Sequence, residues 1–316
     1  MGEFELIREF FQPLASQARQ DQLILGPGDD CAVQRVPPGQ DLVFSVDTLV
    51  EGVHFPERYN PSHLGWRALA VATSDLAAMG ASPVCFTLAL TLPEADRDWL
   101  AGFAKGLSKA SSAFGIALAG GDTTRGALTL SVQVHGTVAE GRALRRAGAR
   151  PGDFICVSGE LGDAGAALAF LDAPSPSPEA QAVLSRYHFP QPRLILGQQL
   201  AGHASAVIDV SDGLLADLQH ILDASGVGAR LDPDKVPVSQ ALKQLEGDQA
   251  VELALTAGDD YELCITIAPE QWQHLPAAVR SEMTVVGCVE AQSGLRLEGR
   301  AGALAKKGFD HFGRTI

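Results

Sequence analysis

Six aspartates in this sequence stand where a predicted strand or helix ends, or where an apolar stripe is interrupted. They are Asp30, Asp47, Asp75, Asp122, Asp209 and Asp212. Hard carboxylate oxygens in this number suit Mg²⁺, which binds proteins through one or two carboxylates and completes its shell with water and substrate phosphates. A softer metal would require cysteine or clustered histidine ligands. The six acids therefore predict several magnesium ions that bridge a polyphosphate.

The stretch from Ser45 to Phe55 predicts the end of a buried strand followed by a short exit loop. Period-two alternation separates an apolar series from Ser45 and Asp47, which turn together toward the opposite face. The loop that follows carries His54. The stretch thus delivers a carboxylate, hydroxyls and an imidazole to one place. The apolar series consists of Leu42, Phe44 and Val46.

Asp75 lies on the apolar stripe of a helix predicted over His63–Met79. A buried carboxylate costs several kcal/mol unless it is paired or coordinates a metal. A hydrogen bond to a loop would satisfy Asp75 equally well, so both explanations stay open. The other positions of the stripe are Leu64, Ala68, Val71 and Ala78.

The remaining acidic segments also have plainer explanations when each is taken alone. Gly26–Val33 is typical of an Asp-rich turn, and Gly120–Gly126 of a glycine-rich hairpin turn. Asp209 and Asp212 flank a predicted strand-to-helix junction, where we expect free amides at an electropositive helix N-terminus. Ser211 would be a natural cap for that helix, which explains Ser211 better than it explains Asp209.

Helices and strands are predicted between these acidic segments. Within residues 4–19 we expect a short amphipathic helix that ends near Pro13. Strands are expected over Val84–Leu92, Ala127–Val138, Phe154–Ser158, Cys264–Ile267 and Thr284–Val289, and a helix over Trp99–Phe114 closed by Gly115.

Composition excludes several classes of protein. The chain has 316 residues, of which 46% are apolar and 20% charged, as in soluble globular proteins. Its net charge of −14 argues against nucleic-acid binding. No secretory signal core and no run of 18 apolar residues is found, so we expect neither a membrane partner nor export. Five widely spaced cysteines, interpreted as small buried hydrophobes, favour a reducing, cytoplasmic location.

The arginine-rich stretch from Ala143 to Asp153 is the predicted domain boundary, which gives domains 1–142 and 143–316. Its arginines suit phosphate, because the planar guanidinium forms paired hydrogen bonds, although solvated linker arginines are the default explanation. The sequence contains neither GxxxxGK[ST] nor the protein-kinase motifs. If ATP binds, it binds through metal bridges and backbone amides.

Taken as an ordered set, the acidic segments closely resemble the thiamine-monophosphate kinase family. The resemblance runs from near the N-terminus to the tail, and it is carried by Gly28–Ala32, Ser45–Phe55, Ser74–Ala81, Gly120–Gly126, Asp209–Leu214, Gly258–Leu263 and Gly308–Phe312. It implies a two-domain fold of α/β and α+β type like that of aminoimidazole ribonucleotide synthetase. The N-terminal domain would bind ATP and Mg²⁺ and pair its sheet across a homodimer, and a C-terminal α+β domain would complete the active site. The implied reaction is direct, in-line transfer of the ATP γ-phosphoryl group to thiamine monophosphate, giving thiamine diphosphate.

The resemblance also implies roles for individual residues. Asp47, Asp75, Asp122 and Asp212 would be catalytic through positioning and charge neutralisation. Val46 stands where relatives often carry threonine, so it would bind metal through its backbone carbonyl, and Asp259 stands where many relatives have glutamate. The implied magnesium ligands are Asp30, Ser45, Val46, Asp47, Asp75, Asp122, Asp209 and Asp212. The implied ATP contacts are Gly121, Asp122, Arg146 and Ser211, and the implied substrate contacts are His54, Asp259 and Phe309.

Two other functions remain in competition. One is a related ATP-dependent synthetase of the same fold. Selenophosphate synthesis fits poorly, because Gln17–Leu25 contains neither the reactive cysteine nor the lysine which that reaction needs. The other is a non-catalytic sensor of nucleotide or thiamine phosphate, against which the intact set of aspartates argues.

Overall fold

A computed structural model describes residues 2–16, 18 and 20–299, with the backbone alone for Glu3, Phe4 and Ser16. Phe309, a predicted substrate contact, lies outside these residues. The chain forms two compact units, one made of residues up to Leu76 together with Ala81–Ala143, the other of Ala77–Gly80 and the residues from Leu144 onward. None of the helices in the described part is long and apolar enough to span a membrane.

The first unit is built on a four-stranded sheet with strand order β3-β6-β4-β5. Strand β5 runs parallel to β4, and the other two pairs are antiparallel. One face of the sheet is buried at its centre by Phe86, Leu90 and Leu130. The elements are α1 Glu3–Leu6, β1 Leu23–Leu25, β2 Val33–Gln34, β3 Gln40–Val50, α2 Pro61–Ala78, β4 Ser82–Leu92, α3 Arg97–Phe114, β5 Ala117–Arg125 and β6 Thr129–Ala139.

Two glycines allow α2 and α3 to cross in contact. A Cβ atom on Gly65 would lie 2.2 Å from the carbonyl oxygen of Phe103, and one on Gly106 would lie 1.9 Å from that of Ser62. Any side chain at either position would push the helices apart. This close crossing fixes α2, the helix that carries Asp75.

The second unit contains a mixed six-stranded sheet with strand order β12-β9-β11-β7-β10-β8. Within this sheet, β12–β9 is the only parallel pair among the described strands, and the other four pairs are antiparallel. The strands are β7 Phe154–Ser158, β8 Ala206–Asp209, β9 Gly228–Leu231, β10 Leu263–Ile267, β11 Met283–Glu290 and β12 Gly294–Leu297. The α-helices are α4 Asp163–Ala167, α5 Pro178–His188, α6 Leu194–Leu200, α7 Leu214–Ser225, α8 Gln240–Glu246, α9 Ala250–Thr256, α10 Pro269–His274 and α11 Ala277–Arg280.

Several predicted elements are confirmed. The helix predicted over Trp99–Phe114 spans Arg97–Phe114 and ends at Gly115, which adopts the left-handed conformation with φ 64°. The strand predicted over Phe154–Ser158 has those bounds.

Strand β3 corrects the expectation of a buried strand. Its apolar series is the exposed one, with Leu42, Phe44 and Val46 41%, 62% and 60% exposed. Strand β3 is at the edge of the sheet and pairs only with β6 among the described strands. Period-two alternation shows that the two faces of a strand differ, but it does not show which face another layer covers.

One of the plainer explanations is excluded, and two smaller expectations were also wrong. Gly120–Gly126 is not a hairpin turn, because the chain stays extended to Arg125 beside β4. Instead of one amphipathic helix, the N-terminal segment contains α1, a π-helical turn over Ile7–Phe11 and a 3₁₀ helix over Gln12–Ser16. Cys31 is exposed rather than buried.

Candidate active site

Ser45, Asp47 and Asp75 meet in the first unit. Ser45 and Asp47 are two positions apart in β3, so their side chains lie on the same face of the sheet. The Ser45 hydroxyl donates to Oδ2 of Asp75 on α2 at 2.5 Å. Burial, and then the negative charge of Asp75, raise the pKa of the Asp47 carboxyl to about 6. Two acids that repel each other beside a hydroxyl form an oxygen-only donor set, and a divalent cation would relieve the repulsion.

A second group of predicted ligands lines a cavity of about 690 Å³ in the same unit. Asp30, Gly121 and Asp122 contribute to its wall, together with the apolar side chains of Phe11 and Leu118. A Cβ atom on Gly121 would lie 2.0 Å from the Leu88 carbonyl oxygen, so only glycine fits here in β5. The cavity has the size and the mixed apolar and acidic lining of a small-ligand site.

Strand register separates Asp47 from Asp122. Across the sheet, Asp47 of β3 pairs with Val132 of β6, Val132 pairs with Leu88 of β4, and Leu88 pairs with Gly121 of β5. Asp122, the next residue of β5, pairs instead with Ala89 of β4. Paired residues share a face of a sheet, so the two aspartates project from opposite faces. In agreement, no group of three or more His, Cys, Asp or Glu side chains within the described ranges is arranged to hold a metal. A single multi-ion centre therefore stays a prediction.

His54 lies in the turn that follows β3. Its Nδ1 accepts the backbone amide of Val50 at 3.0 Å, and its own amide donates to the Val50 carbonyl, also at 3.0 Å. Because Nδ1 acts as an acceptor, the proton of the neutral imidazole is assigned to Nε2. His54 would therefore present an N–H donor to a ligand.

In the second unit, Asp209 is buried at the end of β8 and Asp212 lies in the loop before α7. Three of the amides at this junction are not free, because Oδ2 of Asp217 accepts the amides of Ser211, Asp212 and Gly213 at 3.0, 3.0 and 3.1 Å. Ser211 is not the N-cap of α7 either. The N-cap residue is Gly213, which has no side-chain oxygen to bind an amide.

The sequence analysis missed Asp217, although a signal for it was present. Asp217 is 2% exposed and lies between the buried residues Leu214 and Leu218 on α7. An acid on an apolar helical stripe is the same signal that singled out Asp75. Burial raises the pKa of the Asp217 carboxyl to about 7, against the opposing effect of the amide bonds.

Asp259 lies in a strained loop before β10. Asp259 and Tyr261 both have positive φ values, 70° and 52°. The Tyr261 hydroxyl donates to Oδ1 of Asp259 at 2.9 Å. The loop is joined to the one before α7, because the amide of Asp259 donates to the Ser211 carbonyl at 2.9 Å and that of Tyr261 to the Val210 carbonyl at 2.8 Å. Such conformations persist only where the surroundings enforce them.

Two buried acids anchor this strained loop. Glu262 is 1% exposed and binds the guanidinium groups of Arg186 and Arg193, while Ser158 donates to it at 2.6 Å. Both carboxylate oxygens of Asp260 accept the amide of Gly162, at 3.0 and 2.8 Å, and burial raises the pKa of Asp260 well above its ordinary range. Sequence reasoning missed this anchor, since its partners lie 69–104 positions away.

Arg146 is placed near the other end of α7. Its backbone carbonyl accepts the hydroxyl of Ser225, the last residue of that helix, at 3.4 Å. A helix of 12 residues is about 18 Å long, so the backbone of Arg146 is well separated from Ser211 and Asp212. Contact of Arg146 with ATP stays a prediction.

Comparison with known proteins first defines the class. The family model for the N-terminal domain of AIR synthase related proteins matches residues 28–138, and the model for their C-terminal domain matches residues 150–300. The fold therefore belongs to the two-domain AIR synthase-like class.

Closer relatives define the family. The chain is 44% identical to the thiamine-monophosphate kinase of Salmonella typhimurium over 321 residues, which cover 98% of each protein. The crystal structure of thiamine-monophosphate kinase from Stenotrophomonas maltophilia matches with a TM-score of 0.84 and 44% identity over 90% of this chain and 93% of that one. AaThiL complexed with AMPPCP and TMP matches with a TM-score of 0.80 and 32% identity over 98% and 97%. The chain belongs to the thiamine-monophosphate kinase family.

Proposed function

We propose that this protein phosphorylates thiamine monophosphate with ATP, giving thiamine diphosphate and ADP. The observation that carries the proposal is the oxygen-only set of Ser45, Asp47 and Asp75, in a chain that matches these kinases along its whole length. The related structure holds AMPPCP, an ATP analogue, and TMP. Direct in-line transfer without a phosphoenzyme is part of the proposal, because the acids would position the phosphates and hold the neutralising metal rather than attack.

Several magnesium ions are part of the proposal. Asp47, Asp75 and Ser45 would hold metal on the helix-covered face of the first sheet, and Asp30 and Asp122 would hold it at the cavity. Val46 would add its backbone carbonyl, and Asp209 and Asp212 would be the ligands in the second unit. When bound, Mg²⁺ supplies positive charge that neutralises the phosphates.

The cavity beside β5 is the proposed nucleotide site. Gly121 brings backbone close to the ligand, while Phe11 and Leu118 offer an apolar wall suited to a planar base. Arg146 and Ser211 are the proposed ATP contacts of the second unit. The acceptor would be bound by His54 through its Nε2 proton and by Asp259, whose carboxylate suits the cationic thiazolium ring. Phe309 is the third proposed contact of the acceptor.

A homodimer is proposed from the exposed apolar face of β3. An 11-residue edge strand that exposes Leu42, Phe44 and Val46 is prone to pair with another chain. We assign dimerisation, with ATP and metal binding, to the first unit. A cytoplasmic location is also proposed, supported by the spacing of the cysteines.

The test of function is incubation with ATP, Mg²⁺ and thiamine monophosphate, followed by chromatography. We expect thiamine diphosphate and ADP in equal amounts. Product from free thiamine instead would assign a different kinase, and nucleotide binding without turnover would assign a sensor. ATP hydrolysis that requires another acceptor would favour a synthetase of the same fold.

The dimer is tested separately by sedimentation. Phe44→Asp places a charge on the apolar face of β3, and we expect the dissociation constant of the dimer to rise at least ~100-fold, as for a central interface residue. Ile195→Asp is the matched control, because Ile195 is 71% exposed in the second unit. A monomeric wild type would exclude the dimer.

A further inference from the structure

The loop between β8 and α7 has almost every backbone polar group engaged. The amide of Val210 donates to the Glu262 carbonyl at 2.7 Å, and its carbonyl accepts the amide of Tyr261 at 2.8 Å. The Ser211 carbonyl accepts the amide of Asp259, and the Gly213 carbonyl accepts the amide of Asp217 at 3.0 Å. The three remaining amides, from Ser211 to Gly213, converge on one atom, Oδ2 of Asp217.

This arrangement differs from an ordinary helix cap. A capping side chain precedes the helix and binds amides of its first turn. Asp217 lies within the first turns of α7 and reaches back to bind the loop before it. A carboxylate with several backbone amide bonds is a strong, charge-assisted acceptor, and burial at 2% exposure removes competing water. The loop conformation therefore depends on this side chain together with the backbone bonds to Asp259, Tyr261 and Glu262.

We propose that Asp217 is a positioning residue that holds the backbone of residues 211–213, so that Ser211 and Asp212 are oriented for nucleotide and magnesium. This inference rests on the roles proposed above for Ser211 and Asp212. Asp217 itself touches neither ligand. Its bonds to the amides of residues 211–213 engage three groups that could otherwise bind phosphate directly.

The chain offers a matched pair of variants. All three amides bind the same oxygen, so Asp217→Asn keeps an acceptor if its amide oxygen occupies that position. Asp217→Leu keeps the number and branching of the side-chain heavy atoms, is bulkier, and has no acceptor. Asp223→Ala is the control, because Asp223 is an exposed acid on α7 that bonds only to Gln219 in the contacts described.

The first readout is amide hydrogen exchange, which needs no turnover. In the wild type we expect residues 211–213 to exchange as slowly as the neighbouring strand β8. In Asp217→Leu we expect exchange there to accelerate at least tenfold, with Asp217→Asn in between and Asp223→Ala unchanged. Fast exchange in the wild type, which requires no variant to fold, would overturn the proposal.

The second readout is the dependence on metal and substrates. For Asp217→Leu we expect the Mg²⁺ concentration at half-saturation of Mg·ATP binding, measured by calorimetry, to rise about tenfold. In turnover we expect kcat to fall at least 30-fold while KM for thiamine monophosphate stays within twofold.

A loss of thermal stability with unchanged metal dependence would make Asp217 merely structural and would reject the proposal. Failure of the kinase reaction in the wild type would reject the proposed function instead, because exchange and calorimetry would still decide the role of Asp217.

Discussion

The acids of the first unit are held in place differently from those of the second. Ser45, Asp47 and Asp75 lie on a regular strand and a regular helix, and their spacing follows from the periods of those elements. Asp212 and Asp259 lie in loops whose shape depends on hydrogen bonds that buried acids of the same unit accept. In the first unit, secondary structure presents side chains that repel each other. In the second unit, other side chains shape the backbone that presents the ligands.

The difference predicts where each region is sensitive. In the first unit a ligand can be replaced without disturbing the fold, because the strand and helix persist without it. In the second unit, residues that never touch a ligand control its geometry. Single substitutions in each unit test this difference in sensitivity.

The largest effect is expected for Asp47→Asn. Loss of one proposed oxygen ligand of the metal should lower kcat/KM at least 1,000-fold, equivalent to ~4 kcal/mol of transition-state stabilisation. The same variant should melt at a higher temperature than the wild type in EDTA at pH 7.5, because it removes the repulsion of Asp75. Asp41→Asn on the same strand should leave both quantities unchanged. Normal turnover of Asp47→Asn across a Mg²⁺ titration would remove the proposed metal site.

The second effect concerns the anchor of the strained loop. Glu262→Gln leaves Arg186 and Arg193 without their charged partner. We expect a loss of about 2–3 kcal/mol in the free energy of unfolding, below the ~3–5 kcal/mol of a fully buried pair because both arginines reach solvent. Urea denaturation measures it, with the exposed Glu252→Gln as control. A change no larger than that of the control would mean that the loop keeps its strain without the anchor.

The difference between the two units also explains which structural features could be predicted from the sequence. Asp75 could be found because a single acid on an apolar stripe is visible from sequence alone, and α3 and β7 follow from local periodicity. The open face of β3 could not be predicted, since alternation is symmetrical until the neighbouring layer is known. Asp260 and Glu262 were missed because their partners, Gly162 and Arg193, are distant in sequence and brought near only by folding.

A third effect is a pH dependence that belongs to the first unit. Because the pKa of Asp47 is about 6 in the metal-free fold and 3.8 ordinarily, the folded state binds more protons between these values. The contribution of Asp47 to stability therefore falls as pH rises from about 4 to about 6, by on the order of 2 kcal/mol, and is constant above. Thermal melts in EDTA should show this slope in the wild type and not in Asp47→Asn. Conversely, Mg²⁺ should bind more weakly as pH falls through about 6, because protons compete for the same oxygen. An identical pH slope in the two proteins would assign it to another group.

The smallest effect tests the loop of the second unit. Tyr261→Phe removes the hydroxyl that donates to Oδ1 of Asp259 and leaves the ring in place. A single hydrogen bond to a charged group contributes ~1–2 kcal/mol, so we expect KM for thiamine monophosphate to rise about fivefold to 20-fold with KM for ATP unchanged. A double-mutant cycle with Asp259→Ala should give a coupling energy of similar size, since each change removes the same bond. Additive effects would mean that Tyr261 acts only on the fold, and the loop would then be held by Asp260 and Glu262 alone.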